Sequence, residues 1–271
     1  MSDQGPPSKD ILGAFGAMER PIHIMGGQGQ AYRSGHIVFK PAKDDEETNW
    51  IAEFYLAVDC DGFRLPKPIY SSSGDFVCGG WQAWEYVEGE HKRGQWIETI
   101  EVCIRFHQAI ASFSQPAYFD RREQNPWVVA DKVAWGEMEI EHHPRIAPYV
   151  DQLRKCLGVI DERSQLIHGD FGGNVLFSES LPPTVIDFSP YWRPVEFAVG
   201  VIIADAIVWE GAEKSLMEVG DQLDNFYQNL VRAELRRVVE LETLHQIYGW
   251  EMLEQIEAHI SLIRAICDRC D

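Results

Sequence analysis

The chain has 271 residues, 45% of them hydrophobic and 25% charged, with 43 acidic against 24 basic side chains and a formal net charge of −19. That length and composition suit one large domain or two unequal lobes with substantial cores. The acidic balance argues against a broad basic face for nucleic acid, whose phosphates need clustered Lys and Arg, and against docking on anionic membranes.

The opening stretch MSDQGPPSKD has neither a basic n-region nor an apolar h-region, so no signal peptide is expected and a cytoplasmic location follows. Residues 1–10 read as a flexible lead. GGQGQAYRSGHIVFK is a glycine-rich turn followed by a β-prone run that ends in Lys40. DDEETNWIAEFYLAVDC reads as a helix, because Ile51, Phe54, Tyr55 and Val58 recur at helical spacing and the acidic first turn suits the helix dipole. DFVCGGWQAWEYV supplies two strand-like segments broken by Gly79-Gly80. After the polar connector 88–94 the pattern turns helical, beginning with QWIETIEVCIRFHQAIASF. PVEFAVGVIIADAIVW (194–209) is too short for a membrane span, contains Glu196 and Asp205, and reads as a buried helix. The expected organisation is a β-rich lobe over 11–87 and a larger, mainly helical lobe over 88–271.

Six cysteines stand at 60, 78, 103, 156, 267 and 270. Four are isolated in apolar surroundings, as reduced cytosolic thiols are. CDRC at 267–270 has metal-like spacing but no matching Cys/His pair nearby, so it reads as the end of a helix.

Chemistry concentrates in LIHGDFGGNVLFSESLPPTVIDFS, residues 166–189. NVLFS and TVIDFS are β-prone runs joined by a turn-rich ESLPP, and folding them together brings Asn174 towards Asp187. An amide oxygen and a carboxylate form a hard-oxygen site suited to Mg²⁺. Asp170, in a glycine-rich loop just before, is a second acid able to take a proton. The bland alternative makes Asp170 a turn cap, but it leaves the carboxylate of Asp187 without a partner at the end of an apolar strand. His168 and His107 read as structural. Trp192 and Arg193, in SPYWRP, read as a packing residue and an ion-pair partner rather than as acceptor contacts.

These residues resemble the catalytic and metal loops of the aminoglycoside phosphotransferase branch of the protein-kinase-like superfamily. HGD…N is similar to the kinase His-Arg-Asp…Asn, and IDFS to Asp-Phe-Gly. The resemblance implies an α+β, bilobal protein-kinase-like fold with ATP (or GTP) and Mg²⁺ as cofactors and the nucleotide between the lobes. It assigns Asp170 as catalytic base and Asn174 and Asp187 as metal ligands. Lys40 becomes the phosphate-binding lysine, Glu53 its carboxylate partner, and Gly26, Gly27 and Gly29 the nucleotide-covering turn. The implied partners are a nucleotide and a small, hydroxyl-bearing acceptor for which an acidic protein favours positive charge. Two departures stand out. Only Phe171, Gly172 and Gly173 separate Asp170 from Asn174, where kinases have four residues, and Tyr32 replaces the last glycine of the turn. They motivate an alternative, a nucleotide-binding regulatory module without efficient transfer. A protein kinase is disfavoured because no Ala-Pro-Glu follows Asp187.

Overall fold

The computed structural model describes residues 5–24, 30–161 and 163–270. The chain divides into two compact units, one of Met1–Glu90, Pro116–Tyr118 and Leu176–Ile186, the other of His91–Gln115, Phe119–Val175 and Asp187–Asp271. The first division falls inside the polar connector. The segment Leu176–Ile186, expected in the helical lobe, groups with the first unit instead.

In the first unit α1 (Lys9–Ala14) begins inside the expected flexible lead: Ser8 caps it by accepting from the Ile11 amide, and Lys9 and Asp10 form its first turn. Strands β1 (Ile22–Ile24), β2 (Ala31–Ser34) and β3 (Ile37–Pro41) precede α2 (Asp45–Ala57), and β4 (Pro68–Ile69), β5 (Val77–Cys78) and β6 (Trp81–Glu85) follow it. They make one antiparallel sheet in the order β1-β2-β3-β6-β4, with β5 also paired to β6. Gly79 and Gly80, at φ +57° and +77°, form the two-residue turn between β5 and β6, a backbone shape that only glycine adopts without strain. Ile37, Phe39, Trp81 and Ala83 pack beneath Leu12, Phe15 and Ala17. Strand alternation therefore turns Lys40 to the opposite face, beside Val38. The acidic start of α2 is capped by Asp44, whose side chain accepts from the Glu47 amide at 2.9 Å.

The second unit opens with α3 (Trp96–Ala109), α4 (Pro126–Ala134), α5 (Ala147–Lys155) and β7 (Gln165–His168). After β7 the chain passes into the segment grouped with the first unit, where β8 (Val175–Leu176), which spans the boundary, and β9 (Thr184–Val185) pair with each other, the hairpin expected of NVLFS and TVIDFS. Beyond them lie β10 (Pro190–Arg193), α6 (Val195–Trp209), α7 (Met217–Gly220), α8 (Phe226–Tyr248) and α9 (Ile256–Cys267). α6 is apolar on nearly every face because α3, α8 and α9 surround it. A Cβ on Gly200 would stand 3.2 Å from the Asn229 carbonyl oxygen and the Leu230 Cα, so this glycine sets how closely α6 approaches α8. Among the described residues no helix is long and apolar enough to cross a membrane. The architecture is α+β, a small antiparallel sheet with a larger helical part.

Candidate active site

β7 pairs antiparallel with β10, His168 opposite Pro190 and Gln165 opposite Arg193. The pairing continues one step, with the Gly169 amide donating to the Ser189 carbonyl at 2.9 Å. The chain leaves β7 through Asp170 and enters β10 from Asp187, so both acids emerge at the same end of this strand pair. The sequence reading relied on the β8–β9 hairpin alone and did not anticipate this second pairing. Asp187 is exposed and holds φ +52°, the left-handed region that Asp tolerates only at local cost.

Two histidines hold the loop. The His168 Nδ1 accepts from the amides of Asp170 (3.2 Å) and Ser189 (3.5 Å), tying the two acid-bearing segments together. The His107 Nε2 accepts from the His168 amide at 3.0 Å while its Nδ1 donates to the Cys103 carbonyl at 2.7 Å. Burial lowers the His107 pKa to about 3, its bond to Cys103 opposing and His168 adding to the shift, so the ring stays neutral and structural. A Cβ on Gly169 would stand 2.3 Å from the Tyr191 ring, so close approach, not backbone conformation, demands glycine there.

Phe171 is fully buried against Phe106, His107 and His168 and anchors the short loop. Gly172–Asn174 form one 3₁₀ turn at ordinary negative φ, so a single tight turn spans the three-residue spacing. That turn folds Asn174 back: its Nδ2 donates to the Asp170 carbonyl at 2.6 Å and reaches the Asp170 Oδ2 at 3.4 Å. The amide nitrogen is thus committed to the loop, and Oδ1 is left as the side chain's acceptor.

The sequence reading missed the arginines that hold Asp170 and its loop. Arg237 on α8 donates from Nη2 to the Asp170 Oδ1 at 2.6 Å, from Nε to the Asp205 Oδ1 at 2.9 Å and from Nη1 to the Glu240 Oε2 at 2.9 Å. Its neighbour Arg236, fully buried, donates to the Gly169 carbonyl at 2.7 Å and lies over the Tyr191 ring. The signal was present as ELRRVVELE, two adjacent arginines flanked by Glu234, Glu240 and Glu242 within one helix. Burial pushes the Asp170 carboxyl up, but the charge and hydrogen bond of Arg237, with Arg236 and His168, outweigh it and hold the pKa below the usual carboxylate value. Asp205 goes the other way: burial and the charges of Asp170 and Glu240 raise it to about 6 despite Arg237. The Asp170 side chain is 45% exposed whereas Arg237 is 12% exposed. One face of the carboxylate is locked by charge and the other is open.

Lys40 is half-buried on β3 opposite Gln82 of β6, and burial lowers its pKa to about 8. Glu53 is exposed on α2 and forms no ion pair among the described residues. Gly26, Gly27 and Gly29 lie outside the described residues. Arg193 pairs with Asp131 and Glu137, each at 2.6 Å, and stacks over Trp135, the ion-pair role expected of it. No group of three or more His, Cys, Asp or Glu among the described residues is arranged for a metal. Mg²⁺ takes one or two carboxylates together with phosphates and water, so the exposed Asp187 carboxylate and the Asn174 Oδ1 suit it as a donor set.

The chain resembles several solved structures along nearly its whole length. The microcompartment-associated aminopropanol kinase matches with a TM-score of 0.61 at 15% identity, over 96% of this chain and 94% of that one. Choline kinase LicA from Streptococcus pneumoniae matches with a TM-score of 0.61 at 13% identity, over 96% and 97% of the two chains. Amicoumacin kinase hAmiN, solved with AMP-PNP, Ca²⁺ and Ami, matches with a TM-score of 0.59 at 13% identity, over 95% and 91%. At these identities the likeness speaks to fold. No curated protein sequence matches significantly. The model of the phosphotransferase enzyme family matches residues 33–192, more than half of the sequence and the span that carries Lys40, Asp170, Asn174 and Asp187; the chain belongs to that family.

Proposed function

We propose that this protein is a small-molecule kinase that transfers the γ-phosphoryl group of ATP to a hydroxyl of a small, positively charged acceptor. The observation that carries the reading is Asp170: ionised at neutral pH, oriented through Oδ1 by Arg237, touched at Oδ2 only by the longer Asn174 contact, and with its side chain 45% exposed. A carboxylate so held can orient an acceptor hydroxyl and accept its proton as the phosphoryl group moves, while little covalent work is left to the protein. Lys40 binds nucleotide phosphates as an ammonium ion. Asp187 and the Asn174 Oδ1 are the residues that hold Mg²⁺, which when bound neutralises charge on the phosphate oxygens. Choline and aminopropanol, named in the kinases of similar fold, each carry a hydroxyl and a cationic nitrogen, and the net charge of −19 favours the same acceptor chemistry here.

The test is multiple-turnover ADP release with Mg·ATP and a panel of amino alcohols and amino sugars. Acceptor-dependent ADP above the rate in water is expected. A regulatory module remains the second reading, because the Arg237 pairing that orients Asp170 also weakens it as a base. Tight Mg·ATP binding by calorimetry, with no turnover on any acceptor, would decide for the module.

Lys40 adds a pH signature. With a pKa lowered from 10.5 to about 8, the free protein loses the ammonium charge as pH rises through 8. The Kd for Mg·ATP therefore weakens between pH 7 and 9.5, whereas Lys40→Met binds more weakly throughout and shows a flat profile. Parallel profiles for the two proteins would remove Lys40 from the phosphate site.

A further inference from the structure

Far along the chain from the acids, three thiols converge. Cys156 caps the C-terminal end of α5, Cys267 ends α9, and Cys270 lies one turn further on. The Cys156 and Cys267 sulfurs are 3.5 Å apart, and the Cys270 thiol also lies within hydrogen-bonding reach of Cys156. The cluster is anchored on each side. The Cys156 carbonyl accepts from the Gln228 Nε2 at 3.0 Å, while the Tyr227 hydroxyl bonds to the Ile266 carbonyl and lies 3.0 Å from the Cys270 sulfur. No metal-ligating group of three or more His, Cys, Asp or Glu occurs among the described residues, so this thiol cluster is not arranged for a metal ion.

We propose that Cys156, Cys267 and Cys270 form a thiol–disulfide exchange site that reduces a small-molecule disulfide and ends with Cys156 bonded to Cys267. Access fixes the order, since Cys270 is exposed, Cys267 half-buried and Cys156 buried. The Cys270 thiolate attacks one sulfur of the small disulfide, forming a mixed disulfide and releasing the first small thiolate. Cys267 attacks the Cys270 sulfur and expels the second. Cys156 then attacks the Cys267 sulfur and returns Cys270 as a thiolate. In sum, Cys156 and Cys267 lose two protons and two electrons, and the small disulfide is reduced to two thiols. Burial raises the Cys156 thiol pKa, which makes it a poor first nucleophile and slows the last step. Bond formation closes the 3.5 Å between the sulfurs to a bonded distance of about 2.05 Å. The bond would join α5 to α9, elements already packed on each other.

The whole protein is incubated with oxidised glutathione under native conditions, alkylated, and digested with trypsin without reduction. Cleavage after Lys155, Arg163, Arg264 and Arg269 puts each of the three cysteines on its own peptide, 156–163, 265–269 and 270–271. The expected product links 156–163 to 265–269. Cys270→Ser makes the same product more slowly, Cys156→Ser stops at the 265–269 to 270–271 link, and oxidation raises the thermal midpoint by about 5 °C or more, because it closes a long loop. Wild type that stops at the Cys267–Cys270 bond, or at glutathionylated Cys270, overturns the proposal. So does a cross-link that leaves the midpoint unchanged or lowers it.

Discussion

Replacing Asp170 by alanine lowers kcat on the order of 10²- to 10⁴-fold, the range for loss of a positioned general base, and leaves the affinity for Mg·ATP nearly unchanged. The separation of the two effects follows from the geometry. The Asp170 side chain contacts Arg237 and, weakly, Asn174, and is 45% exposed. Nothing in that arrangement commits it to nucleotide, so its loss falls on the acceptor hydroxyl and on the transferring step. Asp170→Asn is the sharper version: the amide keeps the volume and accepts through one oxygen, but it cannot take the proton. Single-turnover rates with the best acceptor, alongside calorimetry with Mg·ATP, measure both quantities. Unimpaired turnover in Asp170→Asn removes the residue from proton transfer. Equal losses in affinity and rate would instead place it against the nucleotide.

Replacing Arg237 by methionine acts on both stability and pH dependence. Arg237 lies among Asp170, Asp205 and Glu240, and taking away the cation leaves three carboxylates crowded together in a largely buried site. Breaking a buried ion pair from one side costs about 3–5 kcal/mol, so a large fall in the unfolding midpoint is expected. The second effect identifies the role. In the native protein burial raises the Asp170 pKa and Arg237 more than offsets it. Without Arg237 the burial contribution stands unopposed, the folded-state pKa rises, and the acid limb of the kcat/KM profile moves to higher pH. A merely structural arginine would lower stability without moving that limb. Arg237→Lys keeps the charge and restores most of the limb, but not the fork that reaches three acids. A limb that stays in place in Arg237→Met would show that another group sets the ionisation of Asp170.

Proton linkage in this cluster also has a definite sign. Asp205, raised from 3.8 to about 6, contributes stability that is complete below pH 3.8 and is lost as pH rises through 6. Asp170, held low, contributes stability above the ordinary carboxylate value that is lost as pH falls. The two oppose each other in acid.

The local layer of this protein was legible in its residues. The helix over DDEETNWIAEFYLAV, the Gly79–Gly80 turn, the buried helix in PVEFAVGVIIADAIVW and the structural roles of His107 and His168 each follow from spacing, turn chemistry or missing charge, which act over a few neighbouring residues. HGDFGGN and VIDFS likewise marked the acids. What joins distant segments could be seen only in the folded chain. The pairing of β7 with β10 brings Asp170 and Asp187 to one end of a strand pair, and only burial by the whole fold pulls Lys40 down to about 8. Arg237 on α8 reaches Asp170 across 67 positions of the sequence. Periodicity records which face of an element is buried, but not which other element covers it. The partner that locks Asp170 is therefore a property of packing.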